Sequence, residues 1–122
     1  MEASGQEFLR GTLKTIVLNL LADPAPGGPR RMYGYEITQA VHDRTHGDIT
    51  LSFGALYPVL HKLEQDGLLL TDTEEVDGRM RKYYSLTPQG NQVAIQKTSD
   101  FERFVRSVRS LLQSPGELSP GL

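Results

Sequence analysis

The apolar positions Leu9, Leu13, Ile16, Val17, Leu20 and Leu21 recur at helical spacing and predict a first helix from Glu7 to Leu21. Residues 1–6, which precede it, are polar and read as a flexible N-terminus. The run Asp23 to Pro29 (DPAPGGP) breaks any regular element, and Arg30-Arg31 extends it. A second helix is expected from Tyr33 to His46, with Ile37, Ala40 and Val41 on its inner face and Gly47 as its stop. Ser52 can cap a third helix that runs to Asp66 and ends at Gly67.

The period then changes. Leu68 to Val76 and Arg79 to Thr87 flank Asp77-Gly78, a strong two-residue hairpin signal. If the loop is those two residues, Val76 pairs with Arg79, Glu74 with Arg81 and Leu69 with Leu86. Strand alternation puts Leu69, Thr71, Met80, Tyr84 and Leu86 on the core side, and Asp72, Glu74, Arg81 and Tyr83 on the other. Thr87 caps a fourth helix with Pro88 at its first position, where the missing N–H costs no hydrogen bond. Its later half carries an apolar stripe of Phe101, Phe104, Val105, Val108, Leu111 and Leu112. Residues 114–122 contain further breakers and read as a disordered tail.

Three helices, a two-stranded hairpin and a final helix give a mainly α fold with a small β-hairpin, the winged helix-turn-helix plan plus a C-terminal helix. A lone hairpin is marginal in water, so it must pack on the helices. At 122 residues, with 38% hydrophobic and 23% charged residues, the chain suits one folded domain. No apolar run approaches the roughly 18 residues of a membrane span, and no signal-peptide pattern opens the chain, so a cytoplasmic protein with no membrane partner is expected. The absence of cysteine excludes disulfides, thiol catalysis and cysteine-ligated metal. The net charge of −2 means that any nucleic-acid surface must come from local charge arrangement.

Several local strings point further: Tyr33-Gly34-Tyr35-Glu36-Ile37; Gly54-Ala55-Leu56-Tyr57-Pro58-Val59-Leu60 followed by Leu63-Glu64 and Gly67-Leu68; and Gly78-Arg79 leading to Arg81-Lys82-Tyr83-Tyr84-Ser85-Leu86-Thr87 and Gly90. In this order and spacing the set resembles the PadR family of bacterial transcriptional regulators, over roughly residues 8–112. The resemblance implies a homodimeric winged-helix repressor on a double-stranded DNA operator with dyad symmetry. The single C-terminal helix resembles the short-tailed branch of the family, in which that helix makes the dimer. Some relatives release DNA on binding aromatic or other hydrophobic small molecules. The segment from Pro24 to Arg31 is longer than usual for the family. The implied organisation is a winged helix-turn-helix over residues 7–87 and a dimerisation helix over 88–113.

On helix three, Phe53, Leu56, Leu60 and Leu63 are expected to face inward at 100° per residue. Gly54, Ala55, Pro58, His61, Lys62 and Gln65 then face outward, with Tyr57 on the flank. Gly54 and Ala55 make the N-terminal end slim enough to approach base edges. Pro58 conflicts with a helix interior, unless the helix starts late and places it near the first turn. Ser52, at the cap, joins this group of DNA-contact candidates. In the wing, the first strand is acidic and the return strand basic. Arg79 at the tip has no obvious partner and is a candidate for a phosphate or the minor groove. Arg81 is divided between DNA and a cross-strand pair with Glu74, and Lys82 can snorkel outward. Tyr33 and Tyr35 flank the start of helix two, where free backbone N–H groups suit a phosphate. Arg30 and Arg31 either follow the DNA backbone or solubilise a loop.

The fourth helix's stripe, Phe101 to Leu112, is too large to leave wet on a monomer. It is expected to pack on helices one and four of a partner, with Leu9 and Leu13 contributing from helix one. Folding back on its own helix one is the intramolecular alternative. His42 and His46 have i, i+4 spacing but no recognisable third ligand, so no metal and no cofactor are expected. No G-x-S-x-G, P-loop or dinucleotide fingerprint occurs, and no enzyme activity is expected. The competing function is a winged-helix protein-interaction module without DNA, which the net charge and the acidic wing strand favour.

Overall fold

The computed structural model describes residues 3–22 and 30–113, with side chains from Gln6 onward. The sequence features at 23–29 and 114–122 lie outside the described residues. Helix α1 spans Ala3–Ala22, so helical backbone begins about one turn before the apolar pattern does. A two-residue strand, β1 (Met32–Tyr33), leads directly into α2 (Gly34–Arg44). Helix α3 spans Phe53–Gln65, strands β2 and β3 span Leu69–Val76 and Arg79–Leu86, and α4 spans Pro88–Leu112.

The hairpin register is the one that a two-residue loop dictates: Val76 opposite Arg79, Glu74 opposite Arg81, Leu69 opposite Leu86. Asp77 and Gly78 both have positive φ, 52° and 78°, the left-handed pair that joins twisted antiparallel strands tightly. Strand β1 is an addition to the sequence reading. It pairs with β3, Met32 opposite Tyr84 and Tyr33 opposite Tyr83, and makes a three-stranded sheet of order β1-β3-β2. Two residues after a breaker run carry no period, so only the partner strand reveals it.

One core joins the elements. Val17 and Leu18 of α1, Ile37 of α2, Leu56, Leu60 and Leu63 of α3, and Tyr84 of β3 are all fully buried. Ser52 Oγ accepts from the Ala55 N–H at 3.2 Å and starts α3. Thr87 does the same for α4, accepting from Gly90 N–H at 2.9 Å while donating to the Gly67 carbonyl at 2.8 Å. These two hydrogen bonds of one hydroxyl tie the end of α3 to the start of α4 and fix the wing between them.

Four expectations change. Phe53 does not join the inward face of α3 but stands 46% exposed, because Leu56, Leu60 and Leu63 fill the core without it. Met80 has core-side parity yet is 66% exposed, because the outer wing projects past the helices. The late-start reading of Pro58 fails: α3 begins at Phe53, and Pro58 is inside the helix, leaving the Gly54 carbonyl without its usual donor four residues on. Helix α2 ends at Arg44, and His46 adopts φ 51°, so His42 and His46 do not share one regular helix.

Candidate nucleic-acid interface

The N-terminal half of α3 presents a slim, open surface. Gly54 and Pro58 are exposed and Ala55 is half-buried. A side chain added at Gly54 would meet only Ser52 Oγ at 4.0 Å, so the backbone there is approachable. Along one flank, aromatic rings follow at i, i+4 and i+8. Phe53 lies 5.8 Å from Tyr57, and Tyr57 lies 6.3 Å from His61, centroid to centroid. The Tyr57 hydroxyl rests against Gly34, so closely that a methyl at that position would overlap it. Glycine at the first residue of α2 therefore lets α3 dock. Lys62 points to solvent on the third turn, with Asp66 at 3.1 Å, an exposed i,i+4 pair that a stronger anion can displace.

The wing is held to α3 by Glu64, whose role was not legible in the chain. Its carboxylate accepts from Thr71 Oγ1 at 3.2 Å and lies 3.6 Å from Lys82 Nζ. Lys82 thus leaves the core-side face by reaching along it toward Glu64, over the Tyr84 ring. Burial is the main cause of the raised pKa of the Tyr84 phenol, with Tyr57 and Glu64 adding to it.

On the opposite face of the sheet Glu74 and Arg81 are register partners, but the ion pair between them, one of the two readings of Arg81, does not form. Arg31 takes Glu74, and also Asp72 at 2.9 Å, while its guanidinium carbon lies 4.1 Å from the centre of the Tyr83 ring. Arg81 stacks instead over Tyr33, 4.5 Å from its ring centre. Tyr33 contacts Tyr83 edge-on at 5.4 Å and stacks with Tyr35 at 6.3 Å. A cation–aromatic ladder thus joins β1, β3 and the start of α2. Both arginines have raised pKa values. For Arg31 the leading cause is its hydrogen bond to Glu74, and for Arg81 its hydrogen bond to Tyr83. Tyr33 is half-buried in this ladder, whereas Tyr35 is exposed at the α2 entrance. Arg79 at the wing tip is exposed and forms no ion pair among the described residues.

Helix α4 packs along α1 and leaves a groove of about 1,030 Å³ between them, lined by Phe8, Gly11, Phe101, Phe104, Val108 and Leu112. Phe104 is 61% and Leu112 80% exposed, as are Val105 and Leu111 in part or nearly in full. Leu9 and Leu13 do not line this surface. Both are buried in the chain's own core, because α1 turns them inward and presents Phe8 outward.

An exposed slim helix beside a hairpin with a cationic tip is the arrangement of winged-helix DNA readers. The profile of the transcriptional regulator PadR-like family matches residues 17–96. The chain belongs to the PadR-like family of transcriptional regulators. It is 35% identical over 103 residues to the transcriptional regulator Rv3488 of Mycobacterium tuberculosis, covering 84% of this chain and 88% of that one. A transcriptional regulator from Clostridium thermocellum is similar in structure, with a TM-score of 0.75 and 26% identity over 88% of this chain and 99% of that one. A PadR family transcriptional regulator from Eggerthella lenta gives a TM-score of 0.72 and 28% identity, over 89% of this chain and 88% of that one. The PadR-like fold accounts for the four helices and small antiparallel sheet, β1 included. No helix among the described residues is long and apolar enough to cross a membrane.

Proposed function

We propose that this PadR-like chain is a sequence-specific repressor that binds a palindromic operator as a homodimer. The observation that carries the reading is the open N-terminal half of α3 beside a wing whose tip arginine, Arg79, is uncommitted. Helix α3 enters the major groove with Ser52, Gly54, Ala55, Tyr57, Pro58, His61 and Lys62 nearest the duplex. Arg79 and Arg81 lie along the adjoining backbone, and Tyr33 and Tyr35 stand at the phosphate by the α2 N-terminus. The acidic strand that would favour a protein-binding winged helix is offset by Arg31 on Asp72 and Glu74.

The exposed residues of α4, from Phe104 to Leu112, supply the dimer face. Each large apolar side chain buried there contributes roughly 1.5–3 kcal/mol before ordering costs. Two-fold pairing matches half-sites about one helical turn apart. The apolar groove between α1 and α4 suits a hydrophobic or aromatic effector that competes with this packing.

Electrophoretic mobility shift with the DNA upstream of the chain's own gene, at two salt concentrations, tests the reading. A sequence-selective shift that weakens with salt is expected. Absence of binding even at low salt would leave the fold to protein recognition.

A further inference from the structure

We propose that the first two turns of α3 read thymine through apolar contact with its 5-methyl group, and that Phe53 makes the contact. This deepens the DNA-binding reading above and rests on it.

Those turns carry few hydrogen-bonding side chains. From Ser52 to Val59 only Ser52 and Tyr57 carry polar side-chain atoms. Ser52 Oγ is engaged by the Ala55 N–H at 3.2 Å. The Tyr57 hydroxyl is turned to Gly34 at the start of α2. The other side chains are apolar or absent: Phe53, Gly54, Ala55, Leu56, Pro58 and Val59. The bidentate pairings that read guanine through arginine or adenine through asparagine or glutamine are therefore missing from these turns. His61 and Lys62 come a turn later, and Lys62 already has Asp66 beside it.

An apolar reading surface has one apolar feature to find in the major groove, the thymine methyl. Phe53 is placed for it. It is the first residue of α3, and side chains on a helix lean toward its N-terminus, so the ring projects past the helix end. It is half-exposed although large and apolar, and the core is complete without it. Tyr57 backs the ring at 5.8 Å with a 32° tilt and limits its motion. Gly54 beside it leaves room for a base pair to come close.

The test uses the full-length wild-type chain and a duplex whose operator has been located by footprinting. Each thymine of one half-site is replaced in turn by deoxyuridine, which lacks only the 5-methyl, and affinity is read by fluorescence anisotropy at fixed salt. One or two replacements under α3 should weaken binding about fourfold, the ratio that one buried methyl carries. Phe53→Ala should bind the thymine and uracil duplexes alike, and Phe53→Leu should keep most of the preference. The inference is overturned if the wild type holds every uracil duplex as tightly as the thymine operator while still rejecting scrambled DNA. It also falls if Phe53→Ala keeps the full thymine preference. Failure of the wild type to select any duplex would overturn the DNA-binding reading, and this inference with it.

Discussion

Arg31 lies over the ring of Tyr83, 4.1 Å from its centre, and holds Asp72 of the neighbouring strand at 2.9 Å. One side chain before β1 thus spans all three strands of the sheet. It offsets two carboxylates of the wing and pins the wing to the body. In the proposed complex with DNA, the part given to Arg31 is to position the wing, since its guanidinium is already held by Asp72, Glu74 and Tyr83.

Arg31→Ala should lower the melting temperature, by less at high salt than at low, because its ion pairs are exposed and screened. Operator affinity should fall while the slope of log K against log salt stays as in the wild type. A slope reduced by about 0.9 would instead mark Arg31 as a phosphate contact.

Arg79 and Lys62 are the contrasting cases. Arg79→Ala should weaken operator binding and reduce the salt slope by about 0.9, the signature of one lost phosphate contact. Lys62→Ala should cost affinity with a nearly unchanged melting temperature, since its ion pair with Asp66 is exposed. A salt titration in each variant decides both, and wild-type behaviour of Lys62→Ala would mean that another face of α3 enters the groove.

Among the described glycines Gly90 has the closest backbone neighbour. A methyl there would overlap the Leu68 carbonyl oxygen, which also accepts from Thr87 N–H at 3.0 Å. Backbone cannot swing aside as a side chain can, so Gly90→Ala should cost about 1–3 kcal/mol or more in urea unfolding. Gly34→Ala meets only the end of the Tyr57 side chain and should cost less.

Alkali should unfold the chain partly through Tyr84. Its folded pKa is raised above the ordinary 10.0, chiefly by burial, so the unfolded chain loses the phenol proton first. The stability that this neutral, buried phenol contributes is fully present below pH 10 and is lost as pH rises through its folded pKa. The melting temperature of the wild type should therefore drop more steeply above pH 10 than that of Tyr84→Phe. Parallel curves would assign the loss elsewhere.

Most of the fold was legible because its signals are local. Asp77-Gly78 fixed the hairpin register residue by residue, and Ser52 and Thr87 marked two helix starts by their side-chain oxygens. Strand β1 was not legible, since its two residues are defined by Tyr83 and Tyr84 about fifty positions away. The partner of Glu74 is not legible for the same reason: strand pairing offers Arg81, its register neighbour, but Arg31 reaches across the sheet from outside the hairpin. Helical periodicity places Phe53 inward because it treats a terminal residue like an interior one. At the first position no preceding turn covers it. For Leu9 and Leu13, periodicity alone does not say which side of α1 meets the core, and both are buried within the chain.

The most direct test of the central claim is a hydroxyl-radical footprint of the upstream DNA, run with the wild type and with a Phe104→Glu, Val108→Glu double variant. Both substituted residues line the groove between α1 and α4. The account predicts two protected half-sites related by a dyad and about one helical turn apart for the wild type. The double variant, unable to pair through α4, should give no footprint at the same concentration. Uniform, sequence-independent protection by the wild type, or an unchanged footprint from the double variant, would contradict it.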